Sequence, residues 1–404
     1  MAQTAFWATC ASAVAILFSI AASQILMGIG IAAFLLSRER VRLPRPALPL
    51  ALFLALTLIS LVASGDPRAG LPQVKKLYVY LMLALVYSVV RRMPESRNLL
   101  LACCAVAGAD SILGIFQFIQ KWREAQILQE DFYNYYLPAR ITGFMSHWMT
   151  FSGEQMLVLV ILIAFLLFGN RPSSRIAQAL WLLGAGAMSV ALVLGDTRST
   201  WLAAFGATLY LAWSRRKLLA LAVPLIVLAG FTLAPQSIRE RASSILRPHG
   251  DLDSNEFRVV VWKTGLRMIR AHPLLGLGPE MVHKHFYEWL PPDAPRPLPP
   301  GYYGHLHSIY IHYAAERGIP AVLMLMWMFG MMLFDFTRAL RRLPPGRGDA
   351  RFLLHAGVAC VIAVMIEGAF ELNMGDSEVL TMFLTITACC YVAVGSARRQ
   401  EAAA

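Results

Sequence analysis

Residues 302–320 read YYGHLHSIYIHYAAERGIP and place His305, His307 and His312 within eight positions, at the edge of an apolar stretch. Imidazole is the side chain whose ordinary titration lies nearest neutrality, so such a cluster could be a metal site, a pH sensor or a general base. Read as a helix over 304–318, the stretch points His305 and His307 about 160° apart and sets His312 near His305. His307 then shares a face with Ile311, Ala314 and Gly318. Zinc ligands on one helix usually converge at i and i+4. His305 and His312 lie two turns apart, and no nearby Cys, Asp or Glu completes a set. Glu316, four residues after His312, reads instead as its surface ion-pair partner. No metal and no cofactor are expected. His307 is left as a candidate general base, with a structural histidine as the alternative.

Two arginines could act beside it. NEFRVVVWKTGLRMIRAHPLLGLGPEMV, residues 255–282, reads as an amphipathic helix followed by a Pro/Gly turn. Glu256, Lys263, Arg267 and Arg270 fall on one face, a solvated or headgroup-facing stripe. Arg258 falls about 160° away, beside Trp262, Gly265 and Ile269. An arginine on an apolar face is costly unless it meets an anion or a carboxylate, so Arg258 is either an anion-binding residue or half of an ion pair. LGDTRSTW, residues 194–201, is a very short connection that sets Arg198 at the start of the next helix, a second fixed cation at headgroup depth. GAFELNMGDSE, residues 368–378, supplies acids, with Glu367 just before it; Glu367 and Glu371 are the expected counter-ions. Asp110 lies inside an apolar run and needs a partner that the sequence does not identify. LPPDAPRPLPPGYYG, residues 290–304, has six prolines in fifteen positions and must be an extended connector or a lid.

These residues must be held by membrane helices. Of the 404 residues, 57% are hydrophobic and only 15% charged, against roughly 25% charged in ordinary globular domains. The apolar residues come in long unbroken runs, which read as spans. Helices are expected near 5–20, 22–37, 47–64, 77–91, 98–119, 148–168, 176–194, 199–213, 218–234, 319–337, 353–371 and 379–396. The fold class is therefore an all-α polytopic membrane protein of about twelve transmembrane helices. Residues 1–234 would hold nine spans, 235–318 a large extramembrane loop with amphipathic helices, and 319–404 three spans and a short tail. The first pair has only Ser23-Gln24 to break it and also fits a re-entrant hairpin. No basic region precedes Phe6, so the first segment is expected to be retained rather than cleaved. All six cysteines lie in apolar stretches, with no disulfide or zinc pattern.

Charge orients the stack. The short connections at 38–45, 91–98, 169–175, 214–217 and 338–351, with the tail, hold nineteen of the 36 Lys/Arg and, with Asp335, five of the 24 acids. By the positive-inside rule these loops and both termini are cytoplasmic. The net charge of +12 thus reports topology and not nucleic-acid binding. The insertions at 120–147 and 235–318 lie outside, in the periplasm of a Gram-negative host, together with eight of the nine histidines.

In this order, the arginine at the short outer turn, the Arg-Trp helix leading into HPLLGLGPEMV, and a motif of the form H-[NSQ]-x9-G-x-x-[GTY] are similar to the WaaL-type O-antigen ligases. They also resemble the wider superfamily of O-antigen ligases, polymerases and O-oligosaccharyltransferases. The last motif reads His307-Ser308, nine residues, then Gly318-Ile319-Pro320-Ala321, with alanine as a departure at the final place. The specific likeness covers mostly residues 194–325. It implies a GT-C-like fold in the bacterial inner membrane and a periplasmic reaction. In that reaction an O-antigen polysaccharide passes from undecaprenyl diphosphate to lipid A–core oligosaccharide without metal or nucleotide. The family's functional histidine maps to His307 and its arginines to Arg198 and Arg258, as base and diphosphate clamp. Trp262, Lys263, Arg267 and His305 join Arg198 and Arg258 as expected substrate-binding residues. Arginine's planar fork matches phosphate oxygens, and a single in-line displacement would invert the anomeric carbon.

Two alternatives keep the superfamily and change the acceptor: a polymerase, or an oligosaccharyltransferase acting on protein hydroxyls. A third, from another class, is a lipid or solute transporter. It would show an inverted repeat and broken midplane helices, and neither is evident in the span pattern.

Overall fold

A computed structural model of the chain describes residues 1–234, 236–244, 255–299 and 301–403. The first elements are α1 (Ala2–Ala15), α2 (Ile20–Leu36), α3 (Ala47–Ala63), α4 (Pro67–Lys75), a 3-10 turn over 76–80 and α5 (Leu81–Val89). Then come α6 (Met93–Leu128), α7 (Phe132–Tyr136), α8 (Trp148–Phe168), α9 (Arg175–Leu194), α10 (Arg198–Arg215) and α11 (Lys217–Leu233). The polar insertion holds α12 (Gln236–Ser243), α13 (Asn255–Ala271), α14 (Met281–His285) and α15 (Ile309–Arg317). The chain closes with α16 (Ile319–Arg342), α17 (Asp349–Glu367) and α18 (Ser377–Ala403). No strand occurs among the described residues.

Lipid offers nothing to satisfy backbone N–H and C=O groups, so apolar runs close their hydrogen bonds within helices. Among the described residues, six helices are long and apolar enough to cross a membrane: α6, α8, α9, α16, α17 and the 377–397 part of α18. The apolar helices α2, α3 and α11 are shorter, at 17 residues each. The twelve expected spans fall on helical segments, but among the described residues only six of these meet that length and hydropathy, and two segments differ further. The span expected over 77–91 is instead the 3-10 turn over 76–80 followed by nine-residue α5. The span expected over 98–119 is 36-residue α6, which carries the helix on to Leu128 and into the expected outer loop.

Helices α8, α17 and α18 form the centre, where Phe151, Met156, Phe352, Val361, Phe383 and Cys389 are enclosed. Without a hydrophobic drive between helices in lipid, close approach rests on small residues. Gly357 shows it: a Cβ there would meet the Phe336 ring at 2.8 Å and Cys390 Sγ at 3.0 Å. Helices α1 and α2 make a hairpin clasped by Ser12 and Ser23, whose hydroxyls donate to each other's backbone carbonyls at 2.8 and 2.9 Å. Asp110 in α6 accepts from the Phe144 amide at 2.8 Å and Gln155 Nε2 at 3.1 Å, so its partners are neutral.

The short basic connections meet at one end of the bundle. Arg97 pairs with Asp349 at 3.0 Å, Arg347 donates to the Gly169 and Leu166 carbonyls at 2.7 Å, and the Arg42 amide donates to Ser88. The polar insertions gather at the other end, where Lys284 pairs with Asp66 at 2.7 Å and Ser60 Oγ donates to the Glu316 carbonyl at 2.8 Å. There α13 and α15 share a small apolar core of Phe257, Val261, Met268, Val282, Phe286 and Leu306.

Candidate functional site

The helix of the histidine stretch begins later than the wheel assumed. Ser308 is the N-cap of α15, its hydroxyl accepting from the Ile311 amide, so His305 and His307 precede the helix. A capping serine is a sequence signal for such a start. The expected 160° separation is therefore overturned, and the His305 and His307 ring centroids lie 4.1 Å apart. His307 has φ +45°, in the left-handed region, which costs a non-glycine residue about 1–3 kcal/mol and throws its ring off the line of α15. The next residue but one fixes the direction, because the Ile309 amide donates to the Gly368 carbonyl at 2.8 Å. That bond brings the segment after α17 against the histidine.

Glu371 is the result. One carboxylate oxygen accepts from Arg258 Nη2 at 2.5 Å, and the other lies 3.1 Å from His307 Nδ1. The carboxylate side chain is 6% exposed and those of Arg258 and His307 19% and 11%. Burial alone would raise the Glu371 carboxyl, but the His307 hydrogen bond and the Arg258 charge outweigh it and hold it below the ordinary range. The expected counter-ion role thus holds for Glu371. It fails for Glu367, which accepts from Asn373 Nδ2 at 2.9 Å, because α17 ends with that side chain turned into the bundle. The second ring nitrogen of His307 lies 3.3 Å from the Tyr302 carbonyl. A neutral imidazole has one N–H and can donate to only one of these two acceptors.

Arg198 opens α10 as expected and reaches the same helix as Arg258 one turn earlier. Its Nη1 donates to Ser244 Oγ at 3.0 Å and its Nη2 to Asn255 Oδ1 at 3.1 Å. The other expected substrate residues are placed differently. Lys263 pairs with Asp293 at 2.7 Å and Arg267 donates to the Leu290 carbonyl at 3.1 Å, so this stripe straps the proline-rich segment to α13. Trp262 is partly buried beside Phe370, and its indole N–H has no hydrogen-bond partner.

His305 lies against His307, and burial reinforced by His307 and His312 pushes it down to about 3. His312 and Glu316 do form an i, i+4 pair at 3.5 Å, but it is a buried pair and not the expected surface one, with side chains 3% and 1% exposed. The helix turns this face toward α3 and α4. Burial, then Arg317, pushes His312 down to about 3, and burial pushes Glu316 up to about 7 against the pull of Arg317.

Three further cations escaped the sequence reading. Arg140 stacks over Trp148 at 4.8 Å and donates to the Asp196 carbonyl at 3.3 Å, and Arg241 Nε lies 3.6 Å from Asp196 Oδ2. Burial, then Arg241, pushes Arg140 down to about 10. Arg317 is packed over the Phe53 and Tyr313 rings at 5.0 and 4.3 Å. Of the three, Arg317 sits beside an apolar run, at 319–337, as Arg198 does at 199–213. No group of three His, Cys, Asp or Glu among the described residues could hold a metal ion.

The glycines of the motifs have a packing reason. The 273–278 turn docks along the end of α15, with the Leu277 and Gly278 amides donating to the Ala315 and Glu316 carbonyls at 2.8 Å and the Ile319 amide to the Pro273 carbonyl at 2.8 Å. Gly276 has φ +65° and a Cβ there would lie 2.3 Å from the Glu316 carbonyl carbon. Ala321, at the departing motif position, is fully buried in the first turn of α16.

A family model described as O-antigen ligase matches residues 183–326. That stretch holds Arg198, Arg258, His305, His307 and Gly318, and ends before Glu371. No curated protein matches the chain.

Proposed function

We propose that the chain, whose residues 183–326 match a family model described as O-antigen ligase, is a membrane glycosyltransferase-type enzyme and an O-antigen ligase. It takes polysaccharide from undecaprenyl diphosphate and joins it to a hydroxyl of lipid A–core oligosaccharide. The reaction runs on the periplasmic side of the inner membrane, in a GT-C-like fold of about twelve spans with both termini cytoplasmic. The observation that carries this reading is the single carboxylate of Glu371 shared between Arg258 and His307.

The chemistry follows from that sharing. Glu371 accepts from Nδ1, so the other nitrogen of His307 is the one that can take a proton. The acceptor hydroxyl enters where the Tyr302 carbonyl now lies and gives its proton to Nε2 as its oxygen attacks the anomeric carbon. The bond from that carbon to the diphosphate oxygen breaks on the opposite face, and configuration inverts. Glu371 engages Nη2 of Arg258, one part of a guanidinium with five N–H donors. Arg258 on α13 and Arg198 on α10, which reaches α13 at Asn255 one turn before Arg258, stabilise the charge growing on the leaving diphosphate.

The test uses the full chain in nanodiscs with undecaprenyl-diphosphate-linked glycan and lipid A–core, EDTA present. Slower-migrating lipopolysaccharide from wild type, lost in His307→Ala, Arg198→Ala and Arg258→Ala, supports the ligase. Lengthening of the lipid-linked glycan alone makes it a polymerase, and a fully active His307→Ala removes the base assignment.

A further inference from the structure

A second cavity-forming cluster lies across His305 from the site. It encloses about 260 Å³ between α4 with its 3-10 extension, α15 and the turn before α18. On its walls Glu316 Oε2 lies between His312 Nε2 at 3.5 Å and Arg317 Nε at 3.9 Å, and two buried atoms, Arg317 Nη1 and His312 Nδ1, have no hydrogen-bond partner. Arg317 is 5% exposed and Glu316 1%. Buried polar groups are almost always satisfied, and Arg317 Nη1 and His312 Nδ1 leave the wall with hydrogen-bonding capacity for a polar occupant. The volume is far above the ~30 Å³ share of one water and just below drug-sized pockets, which suits one small ring.

The wall chemistry narrows the class. Lys76 and Arg317 donate, while Glu280, Glu316 and Asp376 accept, so neither an anion nor a cation is matched by the set as a whole. Tyr80 and Tyr313 add aromatic faces. Interleaved donors and acceptors beside aromatic rings fit a polyhydroxylated ring. The arginines assigned to the diphosphate, Arg198 and Arg258, do not line this space. Tyr302 and His305 do, and both also touch His307, through the Tyr302 carbonyl on Nε2 and the His305 ring. The proton-accepting side of His307 therefore faces the wall of this cavity.

We infer that the cavity is the acceptor subsite and holds one pyranose ring of the acceptor glycan, its hydroxyls bound by Lys76, Glu316, Arg317 and Asp376. This rests on the glycosyltransferase reading above. Lys76→Ala and Asp376→Asn test it in the full chain in nanodiscs, with KM measured separately for lipid A–core and for the lipid-linked glycan. Each variant raises the acceptor KM about tenfold, the effect of one lost polar contact, while kcat and the donor KM stay within about twofold. An acceptor KM that stays within about twofold in both variants, at unchanged Tm, leaves a water-filled cavity and overturns the inference. A rise in donor KM instead gives the cavity to the donor and overturns it too. Should wild type only lengthen lipid-linked glycan, the ligase reading falls, the growing glycan is the acceptor, and the same KM comparison on it decides the subsite.

Discussion

His307 and Glu371 stand 64 residues apart, and Nδ1 of the first lies 3.1 Å from a carboxylate oxygen of the second. The contact fixes which ring nitrogen faces the reaction, as the carboxylate behind a catalytic imidazole does in hydrolase triads. Glu371 is a positioning residue in this scheme, since it acts through His307 and Arg258. Glu371→Gln keeps the shape but presents one donor end, so it fails either Arg258 or His307. We expect kcat to fall at least about 100-fold with both KM values nearly unchanged. Tm falls as well, because Arg258 loses a buried partner. A purely structural role would lower Tm and the donor-binding fraction while leaving kcat per folded molecule intact.

The buried His312–Glu316 pair gives a pH signature of opposite signs. The unfolded state protonates histidine near 6.5, whereas folded His312 resists down to about 3. Below pH 6.5 the unfolded state binds the extra proton, so this group removes stability as pH falls, by at most about 1.4 kcal/mol per unit. Glu316 holds its proton up to about 7, against 4.5 in its ordinary state. Its stabilisation is full below 4.5 and is lost as pH rises through 7. Between 4.5 and 6.5 the two oppose. Melting from pH 7 to pH 5 should show His312→Gln gaining stability relative to wild type on acidification, and Glu316→Gln losing it. Shifts of the same sign in both variants would refute these protonation states.

Arg198 ties α10 to the start of α13 as well as standing near Arg258, and the two roles separate by mutation. Arg198→Ala should cost about 100-fold or more in kcat over the donor KM, the scale of a lost charge-stabilising donor. Arg198→Lys should recover only part of it, because an ammonium lacks the fork. Ser244→Ala and Asn255→Ala each remove one hydrogen-bond partner of Arg198 while leaving the guanidinium. If these two slow the reaction as much as Arg198→Ala does, Arg198 is a brace for α13 and not a diphosphate ligand.

Local signals were legible where one residue type decides one conformation. Arg198 at a short turn, the amphipathic α13 and Gly318 at the close of α15 all follow from capping, periodicity and glycine's freedom. The start of α15 was also legible in Ser308, yet the wheel carried the helix back to residue 304 and separated His305 from His307. Apolar runs fall on helical segments, six of which among the described residues are long and apolar enough to span, but hydropathy does not set length. It missed the 3-10 turn at 76–80, where Lys75, Lys76, Tyr78 and Tyr80 interrupt the run. What no spacing rule could supply is long-range pairing. Glu367 and Glu371 were equal candidates in sequence, and only the Ile309–Gly368 bond decides which meets the arginine. The acceptor cavity joins α4, α15 and the 372–377 turn, three stretches far apart in the chain, so it has no sequence signature.

Gly318 offers the sharpest test of how the motif folds. It separates α15 from α16 with φ +85°, where side chains are strained whatever space they find. Here there is no space either, since a Cβ would stand 2.0 Å from the Leu274 carbonyl oxygen and 2.8 Å from the Leu275 amide. Both neighbours are backbone, so neither can rotate away. The 273–278 turn would have to lift, breaking the Ile319–Pro273 and Leu277–Ala315 bonds that dock it on α15. Gly318→Ala should therefore destabilise the polar insertion by about 2–4 kcal/mol, from backbone strain and lost hydrogen bonds together. Native-state hydrogen exchange locates the effect. Protection should drop at Leu277, Gly278 and Ile319 while α8 and α17 keep theirs. Unchanged protection at those three amides would mean that the turn is not held by this glycine.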